Sequence, residues 1–211
     1  MNNFSLMDRF INQIDDALRT IFTTPASNRP NPAIAIPEQP LDASEKKSTC
    51  AYMRINHTGE VCAQALYRGQ MVAAKRPETI AMLKEACHEE TDHLAWTAER
   101  IHELGGRKSL FNISWYTKSF CIGVIAGLAG DKYSLGFIHE TEQQVGRHLE
   151  KHLQVMPQND HRSRAIVSQM HKDELRHADH AEAAGGKALP APIKTLMTLQ
   201  SKVMTTLTYW L

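Results

Sequence analysis

Glu89-Glu90-Thr91-Asp92-His93, together with its echo Asp173-Glu174-Leu175-Arg176-His177, decides how this chain is read. Each stretch contains Glu-x-x-His. On an α-helix that spacing sets a carboxylate and an imidazole one turn apart on the same face. Two more glutamates complete the pattern: Glu60 lies thirty residues before Glu90, and Glu142 lies thirty-two before Glu174. The midpoint of the first pair falls beside Lys75-Arg76-Pro77 and that of the second inside Pro157-Gln158-Asn159-Asp160, both of them helix breaks. A helical hairpin turning at such a midpoint brings its two glutamates to the same height, about 22 Å from the turn at 1.5 Å per residue. Surface acids scattered on amphipathic helices would not satisfy that condition twice.

Four carboxylates gathered in a core need cations, because each buried charge without a partner costs several kcal/mol. Two divalent metals cancel four negative charges, and neutral imidazoles add nothing to the sum. Glu60, Glu90, His93, Glu142, Glu174 and His177 are therefore the expected metal ligands. Oxygen-rich ligation with one imidazole per metal suits iron or manganese and argues against structural zinc. One Glu from each of two helices, and Glu-x-x-His from each of two others, is the inventory of the ferritin-like di-iron carboxylate bundles. The expected fold is all-α: a ferritin-like four-helix bundle of two helical hairpins, with a crossover helix and amphipathic terminal helices. Which carboxylates bridge the metals stays open.

The periodicity around those motifs divides the chain into three parts. Residues 1–22 form an amphipathic N-terminal arm, with Met7, Phe10, Ile11, Ile14, Leu18, Ile21 and Phe22 along one side of a helix over 4–22. Asp8, Arg9, Asp15 and Asp16 interrupt it too often for a signal peptide. The arm either docks on the core or serves a membrane surface or partner. Residues 23–43 hold Pro25, Pro30, Pro32, Pro37 and Pro40 and read as an extended linker open to movement. Residues 44–211 are the bundle domain, with helices over 44–74, 77–104, 131–155 and 160–184. Between its hairpins, residues 119–130 carry no charge, yet the run is too short to span a bilayer. It reads as the crossover helix, with Gly123, Gly127 and Gly130 allowing close helix approach or room for a ligand. After Pro190 and Pro192 comes a last amphipathic segment ending in Trp210-Leu211, with Lys194 and Lys202 its only charges. It either folds back onto the bundle or exposes an apolar interface.

Composition narrows the function. At 42% hydrophobic and 22% charged, the chain has an ordinary globular make-up. Its net charge of +1 gives no support for nucleic-acid binding. Cys50, Cys62, Cys87 and Cys121 form no C-x-x-C pair, which excludes a rubredoxin-type centre or zinc ribbon and leaves them as packing residues. Among the histidines outside the Glu-x-x-His motifs, His148 stands apart because it follows Glu142 by six residues on the same helix.

With these residues in place, the chain resembles the demethoxyubiquinone hydroxylases, membrane-bound di-iron monooxygenases of ubiquinone biosynthesis. The resemblance runs from about Ser44 to Leu211. It rests on the Arg-Ile-Asn-His-Thr-Gly-Glu-Val-Cys-Ala tract with Glu60, on Leu66-Tyr67-Arg68-Gly69-Gln70 and on the two Glu-x-x-His motifs. His148 and the Gly-rich segment before Glu142 complete the match. It implies two iron ions per chain and O2-dependent hydroxylation of the ring of a polyprenyl benzoquinol that lacks one ring oxygen. No catalytic residue is implied beyond the metal ligands, with His148 as the one candidate. The implied partners are membrane lipid, an electron donor (NADH or a reduced quinone) and other quinone-biosynthesis proteins, with no nucleic acid. The implied location is the cytoplasmic side of the cell membrane, held peripherally through the crossover and the Trp210-ended segment. A tRNA-modifying di-iron hydroxylase would need a basic RNA face, and none stands out. An iron store would usually lack the apolar crossover and tail. Around the ligands, Asp173 is expected to meet His93 and Glu89 to meet His177, each across the hairpins.

Overall fold

Seven helices and no strand occur among the described residues. The computed structural model describes residues 6–211, apart from the side chains of Leu6, Arg9 and Phe10. The start of the expected arm, residues 1–5, and the expected apolar contribution of Phe10 lie outside the described residues.

The helices begin and end where local chemistry requires. Helix α2 (Ala43–Ala73) opens on a capping box, in which Asp42 accepts from the Ser44 and Glu45 backbone N–H groups and Glu45 reaches back to the Asp42 N–H. Helix α3 (Pro77–Glu103) starts on a proline, whose missing N–H costs nothing in a first turn. Helix α5 (Asp131–Val155) is followed by α6 (His161–Ala183), which Asp160 caps through the Ser163 N–H. The two hairpin turns therefore fall at the expected breaks. Beyond α3 and α6, Gly105 and Gly185 adopt φ of +70° and +94°, a left-handed exit that a side chain would strain.

The crossover is helix α4 (Asn112–Leu128), and it lies directly on α2. A Cβ added at Gly123 would stand 2.1 Å from the Leu66 carbonyl oxygen, and one at Gly69 would stand 2.2 Å from that of Phe120. The two backbones touch, so Gly123 serves helix approach rather than ligand room.

Two apolar plugs fill the bundle. One is built on Met53, Trp96, Leu149, Ile166 and Met170, the other on Tyr67, Leu83, Leu135, Ile138 and Ala181. On each of the four helices the motif glutamate falls between its contributions to the two plugs. A polar band is thereby enclosed at both ends by tightly packed side chains.

The flanking segments differ from expectation. The proline-rich stretch is extended but docked. Ala33 is fully buried in the first plug, Asn159 donates to the Pro40 carbonyl, and Arg162 donates to that of Ile36. Glu38 meets the guanidinium of Arg100 at 2.6 Å, and Arg100 also binds Asp160. Arg100 is almost wholly buried, and a buried charge demands such partners. Helix α1 (Leu6–Phe22) also departs from the docked-amphipath reading. It packs through Gln13, Asp16, Ala17, Thr20 and Ile21, with an Asp16–Arg68 ion pair, while Met7, Ile11, Ile14, Leu18 and Phe22 face outward. Helix α7 (Ala191–Trp210) does both things expected of the last segment. Thr208 is buried and Met197 and Met204 are partly covered, whereas Leu196, Leu199, Val203 and Trp210 are exposed. Cys50 and Cys87 pack inside, but Cys121 is exposed and so is not the packing residue expected.

Candidate metal centre

All six expected ligands meet in the polar band. Their ligand atoms form two groups, each with every member within 4.8 Å of the others: Glu60, Glu90, His93 and Glu174 in one, Glu90, Glu142, Glu174 and His177 in the other. Glu90 and Glu174 belong to both. The two Glu-x-x-His glutamates stand between the halves, and Glu60 and Glu142 each serve one half.

Every one of these side chains is buried. His93 turns Nδ1 inward, 3.0 Å from Glu90, 3.4 Å from Glu174 and 3.7 Å from Glu60. His177 turns Nδ1 inward as well, 3.5 Å from Glu90 and 3.9 Å from Glu142. The outward Nε2 atoms meet the two acids named from sequence, His93 on Asp173 at 3.1 Å and His177 on Glu89 at 2.5 Å. An imidazole whose outer N–H is given to a carboxylate is fixed in ring angle and tautomer, and its inner nitrogen is left free to bind a metal.

Electrostatics shows what such a cluster needs. Burial and the neighbouring Glu90 push the Glu60 carboxyl well above its usual range, and burial with Glu174 does the same to Glu142. Glu90 goes the other way. Burial opposes its charge, but its contacts with Glu60 and His93 outweigh burial and hold it down. Burial also opposes charge on His177, yet the contact with Glu89 raises it to about 10. Oε1 of Glu90, Glu142 and Glu174 and Nδ1 of His177 are buried without a hydrogen-bond partner. Three orphaned carboxylate oxygens and one imidazole nitrogen, in a set of four carboxylates with one imidazole per half, fit a pair of hard divalent cations. The cluster can hold metal.

Beside Glu60 lies a cavity of about 150 Å³ between α2, α4, α5 and α7, lined among others by Asn56, Ile122, Phe137, His148 and Met204. Its surface is mainly apolar. Both side-chain polar atoms of Asn56 and Nε2 of His148 are buried there without partners. His148 meets His152 edge to face with ring centroids 4.0 Å apart, and burial lowers its pKa to about 4, so it is neutral. It lines the cavity and belongs to neither ligand group. Asn56 falls within the tract around Glu60 but received no role from the sequence; its position one turn before Glu60 was the available signal. Arg29, which reaches Asp173 from the proline-rich stretch, carried no signal at all.

Comparison with known proteins comes to the same place. The family described as ubiquinone biosynthesis protein COQ7 matches residues 47–208. A 3-demethoxyubiquinol 3-hydroxylase of Xanthomonas euvesicatoria is 53% identical over 205 residues, covering 97% of this chain and 94% of the relative. One from Coxiella burnetii (strain RSA 493) is 51% identical over 209 residues, covering 99% and 97%. One from Chromobacterium violaceum is 51% identical over 204 residues, covering 97% and 99%.

Proposed function

The chain belongs to the COQ7 family of ubiquinone biosynthesis proteins, and on that premise we propose that it hydroxylates the ring of a polyprenylated demethoxyubiquinol with O2. Its relatives' name, 3-demethoxyubiquinol 3-hydroxylase, gives the reaction. The observation that carries it to this chain is the apolar cavity reaching Glu60. Glu60, Glu90, His93, Glu142, Glu174 and His177 would hold two irons. Bound there, iron supplies the activation of O2: one oxygen atom enters a ring C–H, and the other leaves as water with two electrons and two protons. NADH or a reduced quinone provides the electrons.

The chain's own residues do the rest. The carboxylates neutralise the metal charge, and Asp173 and Glu89 hold the imidazoles at a fixed angle. The apolar lining excludes water from the ring. The Asn56 amide, with a free donor and a free acceptor, meets the ring oxygens and orients the quinol toward Glu60. Neutral His148 offers one more polar atom at the same wall.

The substrate's tail sets the location. Each buried CH₂ is worth about 0.8 kcal/mol, so the tail stays in lipid while the ring is bound. Among the described residues, no helix is long and apolar enough to cross a membrane. Residues 104–130 and 183–211 contain no Asp or Glu but do contain Arg107, Lys108, Lys118, Lys187, Lys194 and Lys202. These segments include α4 and α7, which line the cavity through Ile122 and Met204 and leave Ile125, Leu128, Leu199 and Val203 exposed. A cationic, apolar surface suits peripheral binding to anionic lipid on the cytoplasmic face. The test is turnover under ¹⁸O₂ by iron-loaded protein, with the quinol presented in anionic vesicles. One ¹⁸O atom per product is expected, together with a loss of roughly tenfold or more in Leu199→Glu that a short-tailed soluble quinol restores. No hydroxylated product, or label drawn from water, would reject the reading.

A further inference from the structure

The two imidazoles of the centre are supported by unlike parts of the chain. Behind His177, Glu89 is held by Arg176, 2.5 Å away on α6. Behind His93, Asp173 uses the oxygen that faces His93 to accept from Nη1 of Arg29 at 2.9 Å. Arg29 lies in the proline-rich stretch before the bundle. Its Nε donates to Asp92 at 2.7 Å, and its guanidinium lies 4.9 Å from the centre of the Trp96 ring. Asp92 in turn accepts from the Asn28 backbone N–H at 2.6 Å, and Trp96 donates to Ser27 at 3.0 Å. Asp92 and Asp173 are both buried. A planar guanidinium can reach two such carboxylates at once, which a lysine ammonium on its flexible stem cannot reproduce.

We infer that Arg29 is a positioning residue for the His93 half of the metal centre. By fixing Asp173 it fixes the Nε2–H of His93 and so the direction of Nδ1, with the Trp96 ring tilted against the imidazole at 5.5 Å. The stretch that reads as a linker is thus part of the metal site. Gln169 and Arg176 hold the other oxygen of Asp173, so losing Arg29 tilts this acid rather than freeing it. Asp173, as the direct partner of His93, is of the kind that typically contributes about 10–100-fold in metal affinity, and Arg29 acts through it.

This inference rests on the dimetal reading, and the test separates the two. Metal-free protein is titrated with Fe(II) or Co(II) under anaerobic conditions, with bound ions counted and melting temperature recorded before loading. Unmodified protein should bind two ions; binding none would overturn the dimetal reading itself. In Glu142→Ala, where the His93 half keeps its ligand set, adding Arg29→Gln should weaken the remaining ion about 10–100-fold. In Glu60→Ala, where the His177 half keeps its set, the same change should move affinity less than about threefold. Arg29→Lys should recover only part of the loss. Two-ion binding by unmodified protein with equal weakening in both backgrounds, or with none in either, would overturn the role of Arg29 alone. An Arg29→Gln protein that melts before loading moves the count to Arg29→Lys, where the same inequality between backgrounds must appear.

Discussion

The His93 and His177 halves of the centre share a motif and differ in their surroundings. Both use Glu-x-x-His, and both give an outer imidazole nitrogen to an acid from the opposite hairpin. Asp173 is 1% exposed and gripped by Arg29, Arg176 and Gln169, whereas Glu89 is 26% exposed and paired with Arg176. An internal sequence echo therefore specifies ligands in duplicate but not their support. Support comes from whatever the rest of the chain lays against each half. On one side that is the proline-rich stretch; on the other it is solvent and a single arginine.

The largest expected effect tests what the halves have in common. Glu90→Ala or Glu174→Ala removes a carboxylate from both ligand groups, so metal content should fall below one ion per chain and turnover should vanish. Glu60→Ala or Glu142→Ala should keep about one ion. Elemental analysis of reconstituted protein decides the matter, and equal losses in all four variants would erase the distinction between shared and single-half glutamates.

A smaller effect tests how they differ. Asp173→Asn removes a buried charge that faces two arginines, and it should weaken the His93 half about 10–100-fold. Glu89→Gln leaves a partly solvated position where water can serve, and less than about tenfold is expected on the His177 half. Stepwise metal titration reads both, and equal losses would contradict the asymmetry.

The smallest effect marks where the support begins. Helix α1 touches neither half, so removal of residues 1–22 should leave both affinities within about twofold. Removal through residue 43 also takes Arg29, and it leaves the buried Asp92 and Asp173 without its guanidinium. Breaking a buried pair costs about 3–5 kcal/mol, which at this chain length is a drop in melting temperature of roughly 10 °C. Calorimetry on the two truncated proteins separates the arm from the stretch behind it.

What could be read from the sequence follows from the range of the forces involved. The hairpins and the meeting of the six candidate ligands were legible, because helical period, breakers and charge balance are local or pairwise rules that meet at the same residues. The meeting of Asp173 with His93 was legible for the same reason, being one step around a helix from a known face. The docking of residues 23–42 was not. A proline-rich segment has no period, and Arg29 meets Asp92 across sixty-three positions, as Glu38 meets Arg100 across sixty-two. The orientation of α1 was hidden too. An amphipathic pattern defines two faces without saying which one the core takes, and here the mixed face with Asp16, Ala17 and Thr20 turns inward. The sharing of Glu90 and Glu174 needed both hairpins in register at once, which no single-hairpin argument supplies.

The central claim, that six residues of this chain hold two metals with two glutamates between them, is tested most directly by anomalous diffraction at the iron edge from iron-loaded crystals. Two peaks are expected, one against Glu60 and His93 and one against Glu142 and His177, both in contact with Glu90 and Glu174. A single peak, or iron bound outside this polar band, would contradict it.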